Sequence, residues 1–239
     1  MGEVIRNHFC NELRGAPMTA VYPKALIFDF EGTLVDFQWR LAEAEAEAAA
    51  ALANLGMIPE GQGGSYADLM NISWRYQENF GRSEGVTALS GIYDRYDADA
   101  LTRWKVRDGA LETLKEIKRR GGITGLVSNV GTVSLVKALE RLGLGPFLDA
   151  AISRNDARWL KPHPAGLQLV CRRLGCQAKE VWYVGDSLDD IKAARNAGVL
   201  VAVVRGGQNR LAEIRDAKPD WIIAGLPDLL ILPAPVQEP

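Results

Sequence analysis

The stretch Ala25-Leu26-Ile27-Phe28-Asp29-Phe30-Glu31-Gly32-Thr33, or ALIFDFEGT, decides the fold. Its four leading apolar residues have the length and bulk of a strand buried on both faces, which a parallel sheet requires. Asp29 ends that run, so its side chain is expected at the carboxyl edge of the strand, where open α/β sheets bind ligands. Glu31 follows two residues later, and Gly32 permits a sharp departure whose N–H groups can face an anion. Two readings stand at this point. One is a polar turn; the other is a carboxylate pair in which one member attacks as a nucleophile and the other moves a proton.

Apolar runs of the same kind recur as ITGLVSN (123–129), VWYVGDS (181–187), LVAVVRGG (200–207) and WIIAG (221–225). Between them, GALETLKEIKRRG (109–121), TVSLVKALERLGL (132–144), PAGLQLVCRRLG (164–175) and SLDDIKAARNAG (187–198) carry helical periodicity. Strand followed by helix, repeated, predicts an α/β fold with a doubly wound parallel sheet. Residues 36–104 break the alternation: they hold the Ala-rich RLAEAEAEAAAALANLG and the turn EGQGGS, and no strand pattern. The expected organisation is an N-terminal extension over 1–22, a core of 23–35 and 105–239, and a small all-helical cap domain over 36–104, inserted after the first strand. The glutamates of the Ala-rich run read as a solvated helix face.

A chain of 239 residues, 47% hydrophobic and 24% charged, is expected to be globular. With 28 basic and 30 acidic residues the net charge is -2, so no global positive field collects nucleic acid or an anionic membrane. Cys10, Cys171 and Cys176 show no zinc spacing and read as reduced, inert thiols. The first 20 residues lack the apolar core of a signal peptide, and a cytoplasmic location is the expectation. The frayed C-terminus LPAPVQEP and residues 1–17 are assigned no function.

Three further strand ends bear polar groups. Ser128 and Asn129 can hold a phosphate oxygen, and Lys161, on the turn KPHP, can neutralise phosphate charge. Asp186, Asp189 and Asp190 follow the strand VWYVG, and carboxylates suit a hard cation such as Mg²⁺. Each fragment by itself reads equally as a cap or a surface charge; four in this order favour a site.

DFEGT, VSN, KP and GDSLDDIKAARNAG resemble, in order and spacing, the four motifs of the haloacid dehalogenase-like (HAD) hydrolase superfamily, over about residues 24–232. The insertion is similar to the helical cap of its phosphoglycolate phosphatase-like branch, on an HAD-like Rossmannoid core. The resemblance implies a Mg²⁺-dependent phosphomonoesterase on a small phosphorylated metabolite, working through an aspartyl-phosphate. It implies Asp29 as nucleophile, Glu31 as general acid/base, and Asp29, Asp186 and the Glu31 backbone carbonyl as metal ligands. Gly32, Ser128, Asn129 and Lys161 would hold the phosphoryl group, Lys161 would also restrain Asp29, and Asp190 would support the metal shell or orient Lys161. Asp189 reads as surface charge. Partners would be a small phosphate ester, with no nucleic acid and no membrane, the chain being a monomer or homodimer.

The departure is Glu31, where most phosphatases of the family carry Asp; its carboxyl reaches one C–C bond, roughly 1.5 Å, farther. The alternatives are a phosphomutase or dehalogenase on the same fold, or a non-catalytic regulatory protein. Within the cap, Trp39, Arg40, Trp74, Arg75 and Tyr76 read either as facing the site or as cap core and solvated charge. RWKVRDG (103–109) reads as the return hinge.

Overall fold

Ala25–Phe28 forms β1, the centre of a six-stranded, wholly parallel sheet in this computed structural model, which describes residues 23–232. The other strands are β2 (Ile123–Val127), β3 (Ala150–Ile152), β4 (Val181–Gly185), β5 (Leu200–Val204) and β6 (Trp221–Ile223), in the order β3-β2-β1-β4-β5-β6. Every residue of β1 is buried, and each fully buried Leu, Ile or Phe contributes about 1.5–3 kcal/mol. Phe28 stands opposite Leu126 of β2 and Val184 of β4, which brings the carboxyl ends of the three central strands to one level. The chain fills one side of β1 and then crosses to the other, so the topological switch point falls there.

Four helices separate β1 from β2, and the first three are α1 (Leu41–Asn54), α2 (Tyr66–Phe80) and α3 (Glu84–Leu101). Ala44, Ala48 and Leu52 give α1 a buried stripe at four-residue spacing, while Glu43 and Glu47 face solvent. Glu45 differs from the solvated expectation: half-buried, it accepts a hydrogen bond from the Tyr66 N–H at the start of α2. The remaining helices are α4 (Ala110–Arg119), α5 (Thr132–Arg141), α6 (Ala165–Leu174), α7 (Leu188–Ala197) and α8 (Leu211–Asp216). Left-handed glycines, Gly175 and Gly198, cap α6 and α7.

The segments entering and leaving the three helices run side by side. Val35 and Val106 form an antiparallel bridge, and the Asp36 N–H donates to the Lys105 carbonyl at 3.0 Å. Strand β3 and helix α8 were not anticipated, since the Ala-Ala-Ile of β3 lacks the bulky apolar run that marks β6 and the six residues of α8 are too few to show a helical period. β2 and β4 end before Ser128 and Asp186, because those polar residues turn into the site. The extension over 1–22, Cys10 and the terminal residues 233–239 lie outside the described residues. Cys171 and Cys176 are free thiols, buried and half-buried. No helix among the described residues is long and apolar enough to cross a membrane.

Candidate active site

At the carboxyl edge of the sheet, β1 delivers Asp29, β2 delivers Ser128 and β4 delivers Asp186, all buried. Lys161 arrives from the turn before α6 and donates to Asp29 Oδ1 at 2.5 Å and to Asp190 Oδ1 at 2.8 Å. The Tyr183 hydroxyl, on β4, lies 3.1 Å from Lys161 Nζ and donates to Asp190 Oδ1 at 2.8 Å.

Asp190 occupies this place for a local reason. Ser187 caps α7 by accepting from the Asp190 N–H, while Asp190 Oδ2 accepts from the Ser187 N–H and the Ser187 hydroxyl, a reciprocal capping box. Its Oδ2 also takes the Asp186 N–H at 3.1 Å. Both carboxylate oxygens of Asp190 are therefore committed, one to the helix start and one to Lys161 and Tyr183. The geometry favours orientation of Lys161 over a ligand role for this residue.

Asp29, Asp186 and Asp190 bring carboxylate oxygens within 4.8 Å of one another. Burial pushes Asp29 well above the usual carboxylate range; Lys161 opposes this, while Asp190 and Asp186 add to it. Burial, then Asp190, pushes Asp186 up to about 6. Asp190 is the exception: Lys161 and the hydrogen bonds outweigh its burial and hold it below its ordinary value. Three buried carboxylates against one ammonium leave an excess of negative charge, a donor set of hard oxygens that fits a divalent cation such as Mg²⁺. Asp29 and Asp186 have the coordination capacity; Asp186 accepts the Gln208 N–H at 3.0 Å and the Thr33 hydroxyl at 3.3 Å.

Gly32 is required here twice over. Its φ of 78° lies in the left-handed region, and a Cβ would stand 2.3 Å from Asp186 Oδ2. The Arg107 guanidinium donates to the Gly32 carbonyl and, at 2.8 Å, to the Arg205 carbonyl, fixing the loop from outside.

Glu31 is held by both connections to the helical segment. Its Oε1 accepts the Gln38 N–H at 3.1 Å and the Trp104 indole N–H at 2.6 Å. Trp104 is fully buried and meets Phe30 edge-on, with ring centroids 5.1 Å apart. Desolvation raises the Glu31 pKa to about 7 against those two hydrogen bonds, so near neutral pH the carboxyl can both give and take a proton.

Ser128 and Asn129 line the same cavity as Asp29 and Lys161. The Ser128 hydroxyl accepts the Val130 N–H at 3.1 Å, and none of the described residues takes its own hydrogen. The Asn129 amide is a structural bridge: Oδ1 accepts the Lys161 N–H at 3.2 Å, and Nδ2 donates to the Tyr66 hydroxyl at 2.8 Å.

Above this floor the cavity, about 40 Å³, is walled by Phe37, Trp39, Tyr66 and Asp97. Arg154, buried after β3, donates to Asp97 at 2.8 Å, to Asp94 at 2.5 Å and to the Asn129 carbonyl at 2.9 Å, pinning α3 to the sheet edge. Asp97 also accepts the Gly131 N–H and the Trp39 indole N–H, both at 2.9 Å.

Of the five aromatic and basic residues singled out in the helical segment, Trp39 lines the cavity. Arg40 is exposed and pairs with Glu43 and Asp99, Trp74 lies under the Arg158 guanidinium, Tyr76 packs on Phe80, and Arg75 is exposed. Asp189, read as surface charge, is half-buried and lines the cavity, since the first turn of α7 points across it. Sequence reasoning missed Tyr66, Asp97, Trp104, Arg154 and Tyr183; only Tyr183, inside an apolar run next to GDS, carried a signal, a polar tip on a buried strand.

A model of haloacid dehalogenase-like hydrolases matches residues 23–198. The chain is 30% identical over 217 residues to the phosphoglycolate phosphatase of Yersinia pseudotuberculosis, covering 87% of this chain and 91% of that one. It is 30% identical to phosphoglycolate phosphatase 1 of Pseudomonas aeruginosa, over 87% and 79% of the two chains. Among solved structures, a predicted phosphoglycolate phosphatase from Haemophilus somnus superposes with a TM-score of 0.63 at 26% identity, over 90% of this chain and 99% of that one. A hydrolase from Pseudomonas syringae shares the fold at a TM-score of 0.65 and 20% identity, over 87% and 96%.

Proposed function

We propose, for a chain that belongs to the haloacid dehalogenase-like hydrolases and is a phosphatase, that it hydrolyses small phosphate monoesters through a phosphorylated Asp29, with Mg²⁺ as cofactor. The observation that carries the reading is the Lys161 ammonium at 2.5 Å from Asp29 Oδ1 and 2.8 Å from Asp190 Oδ1, beside Asp186 and Ser128.

Residues 36–104 serve as the cap over the site and residues 23–35 with 105–232 as the core. The cation would be held by Asp29, Asp186 and the Glu31 backbone carbonyl, and would supply charge neutralisation between the phosphate and the attacking carboxylate. Lys161 aims Asp29 and offsets phosphate charge, as Asp190 and Tyr183 fix the ammonium. The Ser128 hydroxyl receives a phosphoryl oxygen, whereas the Gly32 N–H, expected from the sequence to do the same, is spent on the Val35 carbonyl at 2.8 Å, and Gly32 serves by its shape beside Asp186. Asp29 attacks phosphorus while Glu31 gives its proton to the departing oxygen; Glu31 then takes a proton from water that hydrolyses the aspartyl-phosphate. Trp104 and Gln38 hold the carboxyl of Glu31 toward the cavity, which accommodates its extra methylene.

Hydrolysis of p-nitrophenyl phosphate with Mg²⁺, and its loss in EDTA with recovery on adding metal back, test the proposal. Mass spectrometry of acid-quenched protein should place a phosphoryl group on Asp29. Turnover unaffected by EDTA, or label on another residue, would overturn the mechanism.

A further inference from the structure

The end of the cavity that must hold the alcohol part of the ester has a distinctive chemistry. Among the described residues lining it, Lys161 is the one cation, and its ammonium is committed to Asp29, Asp190 and Tyr183. Asp189 lines the same space, and the Asp97 charge there is already balanced by Arg154, so a carboxylate on the leaving group would meet the Asp189 charge and no uncommitted cation among these residues. Both oxygens of Asp97 are already engaged by Trp39, Gly131 and Arg154.

The wall above the floor adds two aromatic rings and a phenol hydroxyl. Phe37 and Trp39 present ring surface, the Trp39 N–H being turned away into Asp97. The Tyr66 hydroxyl accepts from Asn129 at 2.8 Å, and none of the described residues takes its own hydrogen. That hydrogen is a donor for an uncharged oxygen on the substrate.

We infer that this site selects small phosphomonoesters of uncharged alcohols over carboxylated ones such as phosphoglycolate, with Tyr66 as a hydrogen-bond donor and Asp189 as an excluding charge. The inference rests on the phosphatase reading of the same site and names its substrate class. It departs from the substrate in the relatives' names.

The test uses two esters of nearly equal size, 2-hydroxyethyl phosphate and 2-phosphoglycolate, which differ by a neutral hydroxymethyl group in place of a carboxylate. The neutral ester should show a kcat/KM at least tenfold higher. Asp189→Asn should narrow that ratio by lowering KM for phosphoglycolate, and Tyr66→Phe should raise KM for 2-hydroxyethyl phosphate several-fold more than for phosphoglycolate. Equal or better use of phosphoglycolate by the wild type overturns the inference. Dissociation constants of both esters for Asp29→Asn, measured by calorimetry, separate the two claims. A tenfold binding preference without wild-type turnover would sink the phosphatase reading and support the selectivity, whereas turnover with equal affinities and equal kcat/KM would do the reverse.

Discussion

Two buried cations organise this molecule, and each sits between two aspartates. Lys161 joins Asp29 to Asp190 at the sheet edge, and Arg154 joins Asp97 to Asp94 where α3 meets that edge. The difference lies in what remains unspent. Asp97 has both oxygens filled by N–H donors, and Arg154 is drawn into a clasp between segments 57 residues apart. Asp29 accepts from Lys161 through Oδ1, and among the described residues nothing donates to its Oδ2, which remains for chemistry. A saturated ionic cluster holds parts together, and an unsaturated one can react.

The comparison breaks most sharply at Asp29. Replacing it with Asn should lower turnover on the order of 10⁴-fold or more while the protein stays folded, measured by single-turnover kinetics beside circular dichroism. Comparable loss in an Arg154→Met protein that remains folded would erase the distinction between the clusters.

Glu31→Gln comes next. It removes the proton donor and keeps the shape, and kcat should fall about 10²–10⁴-fold, less for p-nitrophenyl phosphate, whose leaving group departs without protonation. An equal loss on both substrate types would point to misplacement of the cap connections instead.

Arg154→Met should cost about 3–5 kcal/mol, because it leaves Asp97 buried without its counter-charge. Urea denaturation would show this, and Asp29 should still become phosphorylated in the folded fraction. Loss below 1 kcal/mol would mean that the clasp does not hold α3.

The smallest effect concerns pH. Glu31 is protonated more readily in the folded chain, at about 7 against 4.5, so its contribution to stability is full below pH 4.5 and is lost as pH rises through 7. The difference reaches up to about 3 kcal/mol, and in EDTA the wild type should lose that much more than Glu31→Gln between pH 4.5 and 8. Parallel pH profiles for the two proteins would refute the assignment.

Much of the floor was legible in the chain, since apolar runs that end in Asp29, Ser128 and Asp186 predict where a parallel sheet puts its polar edge. The role of Asp190 was legible only in part: a capping-box position explains its place at the start of α7, but its second oxygen is claimed by Lys161 and Tyr183 from other segments. The roof was not legible. Asp97 shares the buried face of α3 with Leu89, Tyr93 and Ala100, but nothing local names Trp39, Gly131 and Arg154 as the partners that saturate it.

By itself, then, the sequence determined the sheet, the helical insertion and the order of charged groups along one edge, because burial of strand residues and capping of helices act over a few residues. Tertiary structure decided which carboxylates were saturated, which hydrogen of Tyr66 stayed unspent, and that Trp104 would hold Glu31. Those outcomes depend on donors 34 to 132 residues distant, or on a cavity that exists only after the helical segment closes over the sheet, and a linear pattern carries no record of either.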